Sequence, residues 1–158
     1  MKLLETEIQI KASPEKVWSI LTNLEQYTDW NPFIKKVIGK PQVGEKLEVC
    51  ISPPNGREMV FKPTVKSVIK NSEFSWLGRF LLPGIFDGKH IFTIYKNKNG
   101  CLLVQKEEFS GLLVPLMWNS LEKSTREGFE RMNNALKQRA EHANTSQFCS
   151  TNITPTSG

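Results

Sequence analysis

The stretch VPLMWNSLEKSTREGFERMNNALKQRAE, residues 114–141, decides how the rest of this chain is read. Wound at about 3.6 residues per turn, it puts Met117, Leu121, Thr125, Gly128, Met132, Ala135 and the stem of Arg139 on one stripe. Trp118, Phe129 and Leu136 widen that stripe, while Lys123, Arg126, Glu127, Glu130, Asn134, Lys137 and Glu141 fall on the other face. The pattern predicts a long amphipathic surface helix with one buried side. Ser124, Thr125 and Gly128 are small where a helix lying flat on a core would carry Leu or Ile. An interior glycine costs roughly 1 kcal/mol, so it either permits close backbone packing or leaves a space beneath the helix. The reading favoured from sequence is a space.

Working outward, the 158 residues are 39% hydrophobic and 23% charged, the composition of one globular domain. The domain is expected over residues 1–142. The polar, aperiodic residues 143–158, which include Asn-x-Ser/Thr sequons at Asn144 and Asn152, are expected to form a disordered tail. No apolar run approaches the ~20 residues that span a bilayer. The opening residues acquire acidic charge at Glu5 and Glu7, too early for a secretory signal, so the expected location is the cytoplasm. Cys50, Cys101 and Cys149 are an odd number without paired spacing, which points to neither a disulfide framework nor a zinc site. No His/Cys/Asp cluster has metal-ligand spacing and no glycine-rich loop follows a strand, so neither metal nor cofactor is expected. The net charge of +5 is scattered along the chain, which argues against a nucleic-acid partner.

Leu4–Ile10 alternates like a half-exposed strand. Ser13, Pro14 and Glu15 make a helix start, and Val17, Trp18 and Leu21 give that short helix its apolar face, ending near Thr22–Asn23. A second helical turn is expected over Leu24–Thr28, then a turn at Asp29–Pro32, because Asn31 before proline avoids the α region. Strands are expected at Phe33–Ile38, Lys46–Ile51 and Met59–Ile69, the last interrupted by Pro63, and at Phe74–Leu77. Phe80–Phe86 is apolar but contains Pro83-Gly84 and reads as a loop. It is either packed on the core or acts as a lid, and less readily as a membrane-touching tip. Lys89–Tyr95 and Leu102–Phe109 read as a hairpin joined by Lys96–Gly100. The order predicts an α+β fold: a curved antiparallel sheet of about seven strands wrapped round one long C-terminal helix, with two short helices after the first strand.

Several motifs resemble the START/Bet v 1-like (SRPBCC) superfamily with its helix-grip fold, and more narrowly the polyketide cyclase/dehydrase and lipid transport group. They are Ile8-x-Ile10-x-Ala12-Ser13-Pro14-x-x-Val17-Trp18, Trp30-Asn31-Pro32-Phe33, Gly88-x-His90-x-Phe92, Gln105-x-Glu107-x-Phe109-x-Gly111 and Gly128-Phe129 with Met132-Asn133. The resemblance covers roughly Leu3 to Ala140. It implies a deep apolar cavity between sheet and long helix for a hydrophobic small molecule. The superfamily includes carriers, cyclases, quinone-binding proteins and relatives of a chaperone activator, and fold alone does not choose among them.

Pairing the hairpin about a loop centred near Asn97–Lys98 sets Ile94 against Leu103, Phe92 against Gln105 and His90 against Glu107. These residues and Phe109 share a mostly apolar face that should point inward. A buried Glu107 is costly unless paired, and His90 is its partner in this register. Three roles stay open for the pair: a structural hydrogen bond, an anchor for a ligand's polar end, or general acid/base work. Trp30 reads as a core residue at the corner between the short helices or, alternatively, as a residue at the cavity mouth. The expected cavity walls are Phe74, Trp76, Phe92, Ile94, Leu103, Phe109, Met117, Leu121 and Met132, with Gly128 giving room and His90, Gln105 and Glu107 orienting a polar group. The function read from this is binding of a lipid, quinone or polyketide-like molecule, without stable membrane insertion. A cyclase/dehydratase-type enzyme using His90 and Glu107, and a chaperone-cofactor-like interaction protein, stand as alternatives.

Overall fold

A computed structural model describes residues 1–142 apart from Asn55 and Leu81, and apart from the side chain of Phe80. The expected tail at 143–158, with Cys149 and both sequons, lies outside the described residues. The elements run β1 (Lys2–Ile10), α1 (Pro14–Thr22), a 3-10 turn (Leu24–Gln26), α2 (Tyr27–Trp30), β2 (Ile34–Ile38), β3 (Glu48–Ile51), β4 (Met59–Phe61), β5 (Thr64–Ile69), β6 (Glu73–Phe80), β7 (Phe86–Asn97), β8 (Gly100–Ser110) and α3 (Val114–His142). The fold is α+β, a helix-grip arrangement in which antiparallel strands embrace α3.

Among the described residues the strands number eight rather than about seven, and they divide into two sheets. One has the order β1-β8-β7-β6-β5, the other β2-β3-β4. The division falls at Pro63. Proline has no N–H to give a ladder, so the run expected as one interrupted strand, Met59–Ile69, leaves the smaller sheet at Phe61 and enters the larger at Thr64. The seam is stitched by Leu47 N–H to Pro63 O at 2.8 Å and Val65 N–H to Glu45 O at 2.9 Å.

Ser13 caps α1, its hydroxyl accepting from the Lys16 N–H at 3.3 Å, and Pro14 occupies the first turn. Val17, Ile20 and Leu21 are buried beneath it. The expected turn at Asp29–Pro32 is helical through Trp30, and only Asn31 turns extended before Pro32. Trp30 is half-buried and packs edge-on against Tyr27, with ring centroids 5.1 Å apart. Asn31 is buried, and its side-chain oxygen accepts from the N–H groups of Phe33 and Ile34 at 3.0 and 2.8 Å. That clamp fixes where Phe33 goes. Its ring occupies the space that a Cβ on Gly128 would need. The room expected at Gly128 is therefore filled, and close packing is the reason for the glycine there.

α3 packs chiefly along β1, with further contacts to α1 and β8. Met132, Asn133, Leu136 and Ala140 are fully or almost fully buried, whereas Leu116 is 83% and Met117 49% exposed. The buried Asn133 amide donates to Thr6 Oγ1 at 3.0 Å and holds the C-terminal half of α3 to the sheet. The β7–β8 register is the expected one, His90 with Glu107, Phe92 with Gln105 and Ile94 with Leu103, and it continues to Asn97 with Gly100. The turn is thus Lys98-Asn99 alone. At the other end the apolar loop is shorter than Phe80–Phe86, because those two residues already pair across β6 and β7. Leu112 and Leu113 donate to Gly84 O and Ile85 O at 3.0 and 3.1 Å, tying the loop to the start of α3.

The contact at Gly128 predicts a sign reversal. Gly128→Ala should destabilise the protein by about 1–2 kcal/mol, an overpacking cost partly offset by alanine's better helix propensity. In a Phe33→Ala background the same change should be neutral or stabilising, as read by urea unfolding. Equal effects in both backgrounds would show that the ring is not the obstacle.

Candidate functional site

A cavity of about 310 Å³ lies between the two sheets and the first half of α3. That is within the range of small-molecule sites. Its floor is two rows of residues across β6, β7 and β8. One row is Trp76, His90 and Glu107; the next is Gly78, Gly88 and Phe109. Two of the three positions in the second row lack side chains, so the floor sinks there. The smaller sheet supplies a side wall through Val49, Ile51, Met59, Val60 and Phe61, and α3 supplies the roof through Met117, Leu121, Ser124, Thr125 and Phe129. Phe33 and Phe129, edge to face with centroids 5.8 Å apart, line the cavity beside Gly128.

The polar feature of the floor is a three-residue relay. His90 Nδ1 lies 3.0 Å from Glu107 Oε2, and the Gln105 side-chain nitrogen lies 2.9 Å from His90 Nε2. An amide NH₂ only donates. Nε2 therefore accepts, the ring proton sits on Nδ1, and Nδ1–H donates to Glu107. The same Gln105 nitrogen is 3.6 Å from Met132 Sδ, while its Oε1 finds no partner among the described residues. The His90 side chain is 3% exposed, packed against the rings of Phe92, Phe129 and Trp76 at 4.4, 4.8 and 4.9 Å, whereas that of Glu107 is 14% exposed and faces the cavity. Gly88 makes room for this carboxylate: a Cβ there would stand 2.5 Å from Glu107 Oε1.

Of the residues expected to form the site, Trp76, His90, Glu107, Phe109, Met117 and Leu121 line the cavity. Phe74, Phe92, Ile94, Leu103, Gln105 and Met132 do not; they are buried in the packed core beyond the His90 row. Gly128 is also off the cavity, covered by Phe33. For the five strand residues among them the physical reason is shared. Alternation along a strand identifies its inward face, but not how far along that face the helix stays in contact. Sequence reasoning missed the wall from the smaller sheet and the Gly78–Gly88 pair. A signal for the latter existed, since each glycine lies two residues from an inward aromatic or histidine.

Beside the relay, the described lining carries the hydroxyls of Ser124 and Thr125 and the guanidinium of Arg79. Cys101 is buried at the start of β8, where burial, with a lesser contribution from Glu15, pushes its thiol pKa up and disfavours a thiolate. Arg79 lines the cavity with its side chain half exposed, its Nε 3.9 Å from Asp87 Oδ1. Among the described residues no group of three or more His, Cys, Asp or Glu is placed to hold a metal ion. No described helix is long and apolar enough to cross a membrane.

Fold and cavity together define a helix-grip protein with an apolar pocket under its long helix. Comparison with known sequences makes this specific. The family model for polyketide cyclase / dehydrase and lipid transport matches residues 1–141, and the chain belongs to that family. Among curated proteins none matches. Among solved structures, a START superfamily protein from Mycobacterium smegmatis is 22% identical with TM-score 0.71, over 89% of this chain and 98% of that one. A protein from Mesorhizobium loti is also 22% identical, with TM-score 0.67 over 87% and 98%. The di-domain ARO/CYC StfQ of the steffimycin biosynthetic pathway is 9% identical with TM-score 0.74, over 90% of this chain and 51% of its own length. At these identities the likeness is one of fold.

The relay's dependence on Gly88 can be tested spectroscopically. Gly88→Ala should move the Glu107 carboxylate and shift the His90 ring-nitrogen signals in long-range ¹H–¹⁵N spectra, with the rest of the spectrum folded. Unchanged His90 signals would show that the glycine does not shape the pair.

Proposed function

We propose that this protein is a cytoplasmic binding protein for a hydrophobic or amphipathic small molecule, of lipid, quinone or polyketide-like type, held between its sheets and the first half of α3. One observation supports this above the others. The cavity is apolar on nearly every side, yet its floor carries one oriented polar group, the His90–Glu107 pair. Burial of ligand surface at roughly 25 cal/mol per Å² supplies affinity, and the pair supplies orientation. Membership of a lipid transport and cyclase family agrees with such a role.

A second reading, catalysis of a cyclisation or dehydration in the same cavity, draws on Glu107 facing the space with a histidine behind it. A carboxylate backed by a neutral imidazole can act as a base within reach of a bound ligand. The solved ARO/CYC proteins share the fold. In that case Glu107→Gln would abolish turnover while leaving binding intact.

Native mass spectrometry of the purified protein, with extraction of anything bound, tests the first reading. Gly78 faces the cavity, and a Cβ there meets only ordinary contacts at 3.8 and 3.9 Å. Gly78→Leu should fill the space, abolish the bound mass, and leave stability unchanged or higher by about 0.5–1 kcal/mol, since a strand glycine is unfavourable. Equal ligand loading of Gly78→Leu and the unaltered protein would count against this placement of the site.

A further inference from the structure

Resting on the binding reading above, we infer that the cavity takes ligands whose polar end donates a hydrogen bond, an alcohol, phenol or amine, and disfavours those ending in a carboxylate or phosphate. The relay spends its own donors internally. The Gln105 NH₂ goes to His90 Nε2, and His90 Nδ1–H goes to Glu107 Oε2. What remains facing the cavity is the Glu107 carboxylate, and a carboxylate only accepts. Its Oε1 lies over Gly88, where no side chain covers it. An anionic head group at the floor would meet like charge in apolar surroundings, where such repulsion is poorly screened. A purely apolar group there would strip water from the carboxylate and return nothing.

The other polar groups on the cavity wall agree with this assignment. Ser124 and Thr125 on the roof carry hydroxyls that both accept and donate. They suit a head group that gives as well as takes a hydrogen bond. Among the described residues that line the cavity, Arg79 is the one Lys or Arg. Its side chain is half exposed and engaged with Asp87. An anion held at Arg79 would leave the ligand's apolar end, rather than its head, against Glu107.

Three probes that share one ring system isolate the head group: β-naphthol, β-naphthoate and naphthalene, titrated calorimetrically into the unaltered protein and into Glu107→Gln. β-Naphthol should bind about tenfold or more tighter than naphthalene, the size of a hydrogen bond to a charged acceptor, and β-naphthoate should bind most weakly. In Glu107→Gln, which keeps an acceptor for His90 and adds an NH₂ donor, β-naphthoate should gain at least about tenfold relative to β-naphthol. Naphthoate equal to or tighter than naphthol in the unaltered protein, or an order untouched by Glu107→Gln, would overturn the inference. Naphthalene binding with no head-group preference would overturn it while leaving the cavity reading intact. Failure of all three probes, naphthalene included, would remove both.

Discussion

The ring of Phe33 lies on the one residue of α3's core stripe that has no side chain, and the shape of the molecule follows from that contact. Asn31 aims the ring by clamping the backbone of Phe33 and Ile34. Gly128 receives it, and Phe129 meets it edge-on. Beyond this point α3 is buried against β1, with Met132, Asn133 and Leu136 closed to solvent. Before it, the helix is half exposed and roofs a space. Interiors are packed as densely as organic crystals, so a cavity needs a boundary that stops the core from closing over it. Phe33 and Phe129 stand at that boundary.

The space itself comes from subtraction in the sheet. Gly78 and Gly88 pair across β6 and β7 on the inward face, beside Phe109. The same Gly88 leaves the Glu107 carboxylate somewhere to lie. Void and polar group therefore share a cause: one missing side chain makes room for both. Burying a carboxylate without partners would be costly, and His90 Nδ1–H meets that cost on one oxygen while Gly88 leaves the other accessible.

Much of this was legible from sequence where the relevant rule is local. The cap at Ser13-Pro14, the extended Asn31 before Pro32 and the His90–Glu107 register each follow from a few neighbouring residues. So does the amphipathic stripe of α3. Its small residues were read as a space, and they divide: Ser124 and Thr125 do line the cavity, while Gly128 is covered by an aromatic ring from far earlier in the chain. No periodicity within α3 could reveal Phe33. The smaller sheet escaped for a similar reason. Met59–Ile69 reads as one strand interrupted at Pro63, and that reading does not say that the two sides of Pro63 pair with different partners. Phe74, Phe92, Ile94 and Leu103 face inward as expected, but their distance along the strand from the open end is invisible in the sequence, as is the distance of Met132 along α3.

The strand order β1-β8-β7-β6-β5 carries a consequence for how the chain acquires its shape. Leu4 pairs with Glu107, so the first strand waits for the last, and pairings so distant in sequence slow folding. The β7–β8 hairpin turns in two residues and can form on its own fast timescale. His90 and Glu107 can thus meet across a nascent ribbon while their surroundings are still open to water. α3, the last of the described elements, packs Phe129 against His90 and dries the pair. In that order the ionic chemistry of this floor would be assembled wet and sealed afterwards, without the folding chain burying a solitary carboxylate on the way.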